Sequence, residues 1–178
     1  MSHAINDPSF GLLILRVVMG ITLAAHGYNK FFGGGRIAGT ARWFDSMAMK
    51  PNGKVHAILA ASTELGAGLL FAAGLLTPLA AAGMVGLMVV AAYTSHRQNG
   101  FFIVKNGWEY NLIIAAIAVG VATAGPGRYS LDNAIKFDTA FLPNRALAIS
   151  LGLGLVAGIG LLAAAYRPPA KQDGEPAA

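Results

Sequence analysis

Two ionisable residues, Arg16 and Glu64, stand inside long apolar runs, where a charge costs at least about 2.5–3.5 kcal/mol on insertion scales. Arg16 lies ten residues before His26, and Glu64 nine residues after Val55. If His26 and Val55 mark one membrane rim, a rise of 1.5 Å per residue puts both charges roughly 14–15 Å from it. Two opposite charges at one depth on consecutive antiparallel helices predict an ion pair near the bilayer midplane. Small residues favour close approach of the backbones: Gly20 and Gly27 share the Arg16 face, and Ala57, Ala61 and Gly68 share the Glu64 face. The bland role for such a pair is to fix helix register. The chemical role is to line a pocket, with Glu64 exchanging a proton or anchoring a polar ligand.

A second set of polar groups falls where the apolar runs end. His26 and Lys30 close the first run, His56 opens the second, His96 closes the third, and Glu109 and Tyr110 open the fourth. Up-down topology predicts that all of them meet at one face. Imidazole, carboxylate and phenol together move protons or hold the head group of a quinone-like ligand. Equally, such residues populate the zone where water begins. No metal site is predicted: HExxH and similar spacings are absent, and His26 and His96 as axial haem ligands lack a wider His pattern. Gly152-Leu153-Gly154 with Gly158 imitates the start of a dinucleotide loop, but no strand precedes it, so a packing face is the simpler reading.

Membrane helices must position these groups. Of 178 residues, 55% are hydrophobic and only 12% are charged, which excludes an ordinary water-soluble domain. With no cysteine, any redox role depends on a bound cofactor or a partner. Five apolar segments stand out: about 10–27, 55–76, 79–95, 108–124 and 146–166. Runs so rich in Ala, Leu and Gly satisfy their backbone in hydrocarbon only as helices. The fold class predicted is therefore an all-α integral membrane protein, a four-helix transmembrane bundle with an additional C-terminal fifth helix. The expected organisation is a membrane domain over 1–140, the extra helix over 141–166 and a disordered cytoplasmic tail over 167–178. Gly33-Gly34-Gly35 breaks the first helix, and Ile37, Ala41, Phe44 and Met47 then recur at helical spacing, predicting a short interfacial helix near 37–48. It is read as a membrane-skimming connector or, alternatively, a substrate lid.

Basic residues fall between the apolar runs, which speaks for topology and against nucleic-acid binding. Lys30, Arg36, Arg42, Lys50, Lys54, Arg97, Lys105, Arg167 and Lys171 lie on one side, and only Arg128, Lys136 and Arg145 on the other. The positive-inside rule then predicts an outside N-terminus and a cytoplasmic C-terminus.

The ordered motifs Leu15-Arg16 with Gly20, His26-Gly27 through Lys30-Phe31-Phe32-Gly33, Trp43, Glu64-Leu65-Gly66-Ala67-Gly68, Gly74 through Pro78, Asn99 through Phe102, Glu109-Tyr110 and Gly125 through Asp132 resemble the DoxX family of bacterial membrane proteins. The resemblance covers about residues 10–135; the family's usual form is a four-helix bundle, so the fifth segment departs from it. It implies a plasma-membrane subunit supporting a redox or oxidative-stress complex, linked to thiol, sulfur or quinone chemistry, and more accessory than independently catalytic. A quinone-binding oxidoreductase subunit and a small-molecule or proton-coupled carrier remain the alternatives. The implied partners are the lipid bilayer and soluble redox or stress-defence enzymes, with self-association open. The implied cofactor class is a quinone.

Overall fold

A computed structural model describes residues 8–140 and 142–168. The tail expected over 167–178 lies almost wholly outside the described residues. Helix α1 (Ser9–Phe32) runs past Gly27 for five more residues and stops at the extended backbone of Gly33. Helix α2 (Arg36–Ser46) folds back beside helix α3 (Gly53–Ala73). The first turn of α3 exposes backbone donors that its own ladder cannot use. The Asn52 side chain accepts from Val55 N at 3.1 Å, and the Asp45 carboxylate of α2 accepts from Gly53 N at 2.5 Å. One acidic residue thereby caps α3 and docks α2.

The reversal between α3 and helix α4 (Thr77–Asn99) is written in its turn residues. Gly74, at φ 65°, closes a Schellman motif: its N–H donates to Phe71 O, and Leu75 N–H donates to Leu70 O. Leu76 is also left-handed at φ 50°, and Pro78 sits in the first turn of α4, where its missing N–H costs nothing. The α-helical part of α4 ends at Ala91, widens into a π turn over Ala92–His96 and tightens to a 3-10 turn over Arg97–Asn99. Helix α5 (Glu109–Ala124) has 16 residues, about 24 Å at 1.5 Å per residue. The short helix α6 (Leu131–Ala134) is capped by the Ser130 hydroxyl, which accepts from Asn133 N. Helix α7 (Pro143–Ala165) contains a π segment over Ala148–Leu153.

The described residues are thus all-α, and among them four helices are long and apolar enough to cross a membrane, α1, α3, α4 and α7, beside the shorter apolar α5. Helix α4 lies at the centre, against α3, α5 and α7, while α1 packs chiefly on α3. Glycines allow the tightest contacts. A Cβ on Gly20 would lie 2.5 Å from Gly68 O, and one on Gly158 of α7 would lie 2.9 Å from Gly86 O of α4. One buried cluster joins Leu23, Phe71, Met84, Ile114 and Val121 in the middle of the bundle. A second joins Phe44, Met49, Ala57, Val90 and Ala165, so the apolar face of α2 packs on protein, with Trp43 left half-exposed. At this end Lys50 N donates to Ala165 O, and Arg167 N to Ala48 O, which ties the end of α7 to the α2–α3 connection.

Candidate functional site

Arg16 and Glu64 do not meet. Gly20 packs against Gly68 and Ala72, and Gly27 against Ala61 and Leu65, so paired residue numbers across α1 and α3 add to about 90. Arg16 is then level with Gly74, and Glu64 with His26. The pairing expected from the sequence took His26 as level with Val55, which misplaces the register by about nine residues, roughly 14 Å along the axis. The correct rim of α1 lies beyond Lys30, because the helix continues to Phe32.

Glu64 is paired with Lys30 instead. Lys30 Nζ lies 2.5 Å from both carboxylate oxygens. The Glu64 side chain is buried and that of Lys30 is largely so, at 9% and 20% exposure. Lys30 occupies the last turn of α1, where a cation complements the helix carbonyl end. His26, one turn earlier, lies within electrostatic range of the carboxylate, although its ring is exposed.

Arg16 belongs to the other end of the bundle, and it is fully buried. Its Nη1 donates to Ala72 O at 3.2 Å and its Nη2 to Tyr129 O at 2.6 Å. Ala72 O is one of the carbonyls left over at the C-terminus of α3, so Arg16 supplies both a donor and a complementary charge. Asp132 does the reverse for α4. Its carboxylate accepts from Leu76 N at 2.8 Å, Thr77 N at 3.0 Å and Thr77 Oγ1 at 2.8 Å, and its own N–H donates to Gly74 O. A basic residue from α1 and an acidic residue from α6 therefore cap the two helices of one reversal from outside. Sequence reasoning missed Asp132 as a buried charge. The signal available was the run Ser130-Leu131-Asp132, in which a capping Ser precedes an acid beside apolar neighbours.

The remaining polar groups separate into two sets. Lys30 and His56 line a common cavity; His96 and Glu109 do not. His96 Nδ1 donates to Asn106 O at 2.7 Å, and the Glu109 carboxylate accepts from Ile103 N at 2.9 Å, so both fasten the 97–108 connection. Tyr110 is exposed on α5. Among the described residues no group of three or more His, Asp or Glu is placed to hold a metal.

The cavity has a volume of about 590 Å³ and is walled by α3, α4 and α7, with Trp43, Phe44 and Met49 closing one end. Its lining is mainly Ala, Gly, Leu, Met and Val, including Gly83 and Gly86 of α4 and Gly158 and Leu161 of α7. Polar groups are confined to Lys30, His56, Thr63, Glu64, Thr94 and Ser95. Thr94 Oγ1 donates to Val90 O and Ser95 Oγ to Met47 Sδ, so those hydroxyl hydrogens are already used. Such a space suits a lipophilic molecule with few polar atoms. The wall contributed by α7 was not assigned to a site in the sequence, whereas α2 was read as a connector or, alternatively, a lid. The small residues of α7 signalled close packing, and the gap left beside that packing depends on three helices at once.

Comparison with known proteins agrees with this architecture. Residues 11–97 match the DoxX family model. The chain is 27% identical over 126 residues to the inner membrane protein YqjF of Escherichia coli, covering 71% of this chain and 92% of that protein. It is 35% identical over 63 residues to an uncharacterized protein of Haemophilus influenzae, covering 35% of this chain and 42% of that one. No solved structure matches. The apolar helices and the inner-membrane relative identify a multi-pass bacterial membrane protein. The Arg16 and Glu64 segments, the glycines that set their register and the Gly74–Pro78 reversal all fall within the matched region, and residues 11–97 are a DoxX-family segment.

Proposed function

We propose that this chain is an accessory membrane subunit of a redox or oxidative-stress complex, and that its own contribution is to hold a quinone-class lipophile in the cavity between α3, α4 and α7. The observation that carries this reading is a cavity of about 590 Å³ whose apolar walls are interrupted by a buried ion pair, Lys30–Glu64. Its volume lies in the range of small-molecule sites. The polar groups fit a lipophile carrying a few oxygen substituents. Lys30 has three ammonium hydrogens and uses two on the carboxylate, Thr63 adds a hydroxyl near it, and His56, eight residues before Glu64 on α3, adds an imidazole acceptor nearer the rim. A bound quinone would supply the electron-carrying chemistry that a chain without cysteine lacks.

The protein's own part is to bind and to exclude. Glu64 holds Lys30 in place, small residues on α4 and α7 leave room for the ligand, and Trp43 and Phe44 shield the end nearest the basic loops. Loop charge supports placing that end at the cytoplasmic face, where soluble redox or stress-defence enzymes would dock. Arg16 takes no part in ligand binding and serves the helix reversal.

Purification in mild detergent, followed by mass spectrometry of the extracted lipids and of co-purifying proteins, tests this proposal. Expected are a near-stoichiometric quinone-class compound, depleted in Lys30→Met, and soluble redox enzymes in the same fraction. A preparation with neither refutes it.

A further inference from the structure

Of the polar groups around the cavity, the ion pair is closed on itself, whereas His56 is not. His56 is 4% exposed and stands in the first turn of α3, eight residues from Glu64, about 12 Å along the helix. Its Nε2 lies 2.6 Å from Lys50 O. A carbonyl oxygen only accepts, so Nε2 must carry the hydrogen of that bond. In the neutral imidazole the other nitrogen, Nδ1, then presents a lone pair. That atom is buried and has no hydrogen-bond partner. The ring is positioned by its contact with Phe44, 5.9 Å between centroids, and forms part of the cavity wall. A buried acceptor left unpaired is unfavourable, so a ligand that brings a donor to it gains an advantage over one that brings another acceptor.

We infer that His56 Nδ1 is the acceptor for a hydroxyl-bearing head group, so that the cavity binds a neutral lipophile of the phenol or hydroquinone class in preference to its oxidised, carbonyl-only form. This assignment rests on the proposed function and adds to it the redox state of the ligand and its direction. The head group lies at His56, near the rim where α3 begins, and the apolar part extends along α3 toward Gly83 and Gly86. That is the orientation of an amphiphile in a leaflet, head at the interface and tail inward. The Lys30–Glu64 pair then borders the body of the ligand about two turns deeper. A quinone carbonyl at the same place would set its lone pairs against that of Nδ1. A hydroquinone methylated on both oxygens would keep the shape and lose the donor.

The test uses the full chain in detergent under argon. Calorimetric titration compares three probes: a short-tailed benzohydroquinone, the corresponding benzoquinone and the dimethyl ether of the hydroquinone. The hydroquinone is expected to bind about tenfold or more tightly than either of the others, as one hydrogen bond to a buried acceptor predicts. In His56→Phe the preference disappears. In His56→Asn, whose amide oxygen offers an acceptor close to the position of Nδ1, it returns in part. Because either change removes the bond to Lys50 O, the wild-type protein provides an independent reading. With ¹⁵N-labelled histidine, the His56 Nδ1 resonance is expected to shift upfield on addition of the hydroquinone and to stay in place with the ether. Equal binding of the three probes, or an unmoved resonance with hydroquinone bound, overturns the role of His56 and leaves the proposed function standing. Failure of all three to bind overturns the lipophile site itself, and the role of His56 with it.

Discussion

A double-mutant cycle on the intramembrane charges separates the pairing in the structure from the one that helix depth alone suggests. Lys30 Nζ is 2.5 Å from both oxygens of Glu64, with the carboxylate 9% exposed. At an effective dielectric of about 20, charges about 3 Å apart attract by roughly 5 kcal/mol before desolvation is deducted. Removing one member of a buried pair strands the other, which typically costs about 3–5 kcal/mol. Lys30→Met and Glu64→Gln are therefore each expected to destabilise by about 3 kcal/mol, and the double variant by much less than the sum. The coupling energy should be about 2–3 kcal/mol. Arg16 is offset from Glu64 by about ten residues of register, roughly 15 Å, so Arg16→Met with Glu64→Gln should couple by under about 1 kcal/mol. The assay is reversible unfolding in mixed micelles, followed by the fluorescence of Trp43 and Trp108. A coupling at Arg16 equal to or larger than that at Lys30 would refute the register on which the cavity is built.

Further outcomes follow from the same structure. Asp132→Ala leaves Leu76 N, Thr77 N and Thr77 Oγ1 without their acceptor in a buried reversal; a loss of about 3–5 kcal/mol is expected in thermal unfolding, and Asp132→Asn should fall between the variant and wild type. Glu109→Ala, which frees only the exposed Ile103 N, should change stability by less than about 1 kcal/mol in the same assay. Gly68→Leu places a side chain where a Cβ already lies 2.6 Å from Gly20 O and Ala24 N; helix α1 must separate from α3, and cross-linking between cysteines introduced on their outer edges should fall sharply. Gly158→Leu drives α7 from Gly86 and Val89 and should abolish lipophile binding while the α1–α3 cross-link is retained.

The membrane class and the five apolar segments were legible because length and hydropathy alone decide them. Helix α2 was legible from the spacing of Ile37, Ala41 and Phe44, and its apolar face packs on protein. The ion pair was not legible, and the reason is instructive. Hydropathy ended α1 at Gly27, whereas the backbone continues through the polar residues Tyr28, Asn29 and Lys30 until Gly33. Taking the end of the apolar run as the rim displaced every depth on α1. The small residues contained the correct answer: Gly20 with Gly68, and Gly27 with Ala61, share one sum of residue numbers, as interlocking antiparallel helices require. The reversal network was hidden for another reason. Asp132 reaches the start of α4 across 55 residues of chain, and no local pattern specifies that contact.

Helix packing also determines how the bundle responds to an electric field. Moving one elementary charge through a membrane potential of 100 mV involves about 2.3 kcal/mol. Lys30 and Glu64 carry opposite charges at one position in the bundle, so a field orients their dipole and does no net work in displacing the pair. Arg16 and Asp132, drawn to the same reversal, form a second balanced couple at the opposite end. With both couples intact, these four residues together contribute little gating charge. Neutralising Glu64 alone leaves Lys30 uncompensated, and insertion and stability then become sensitive to voltage.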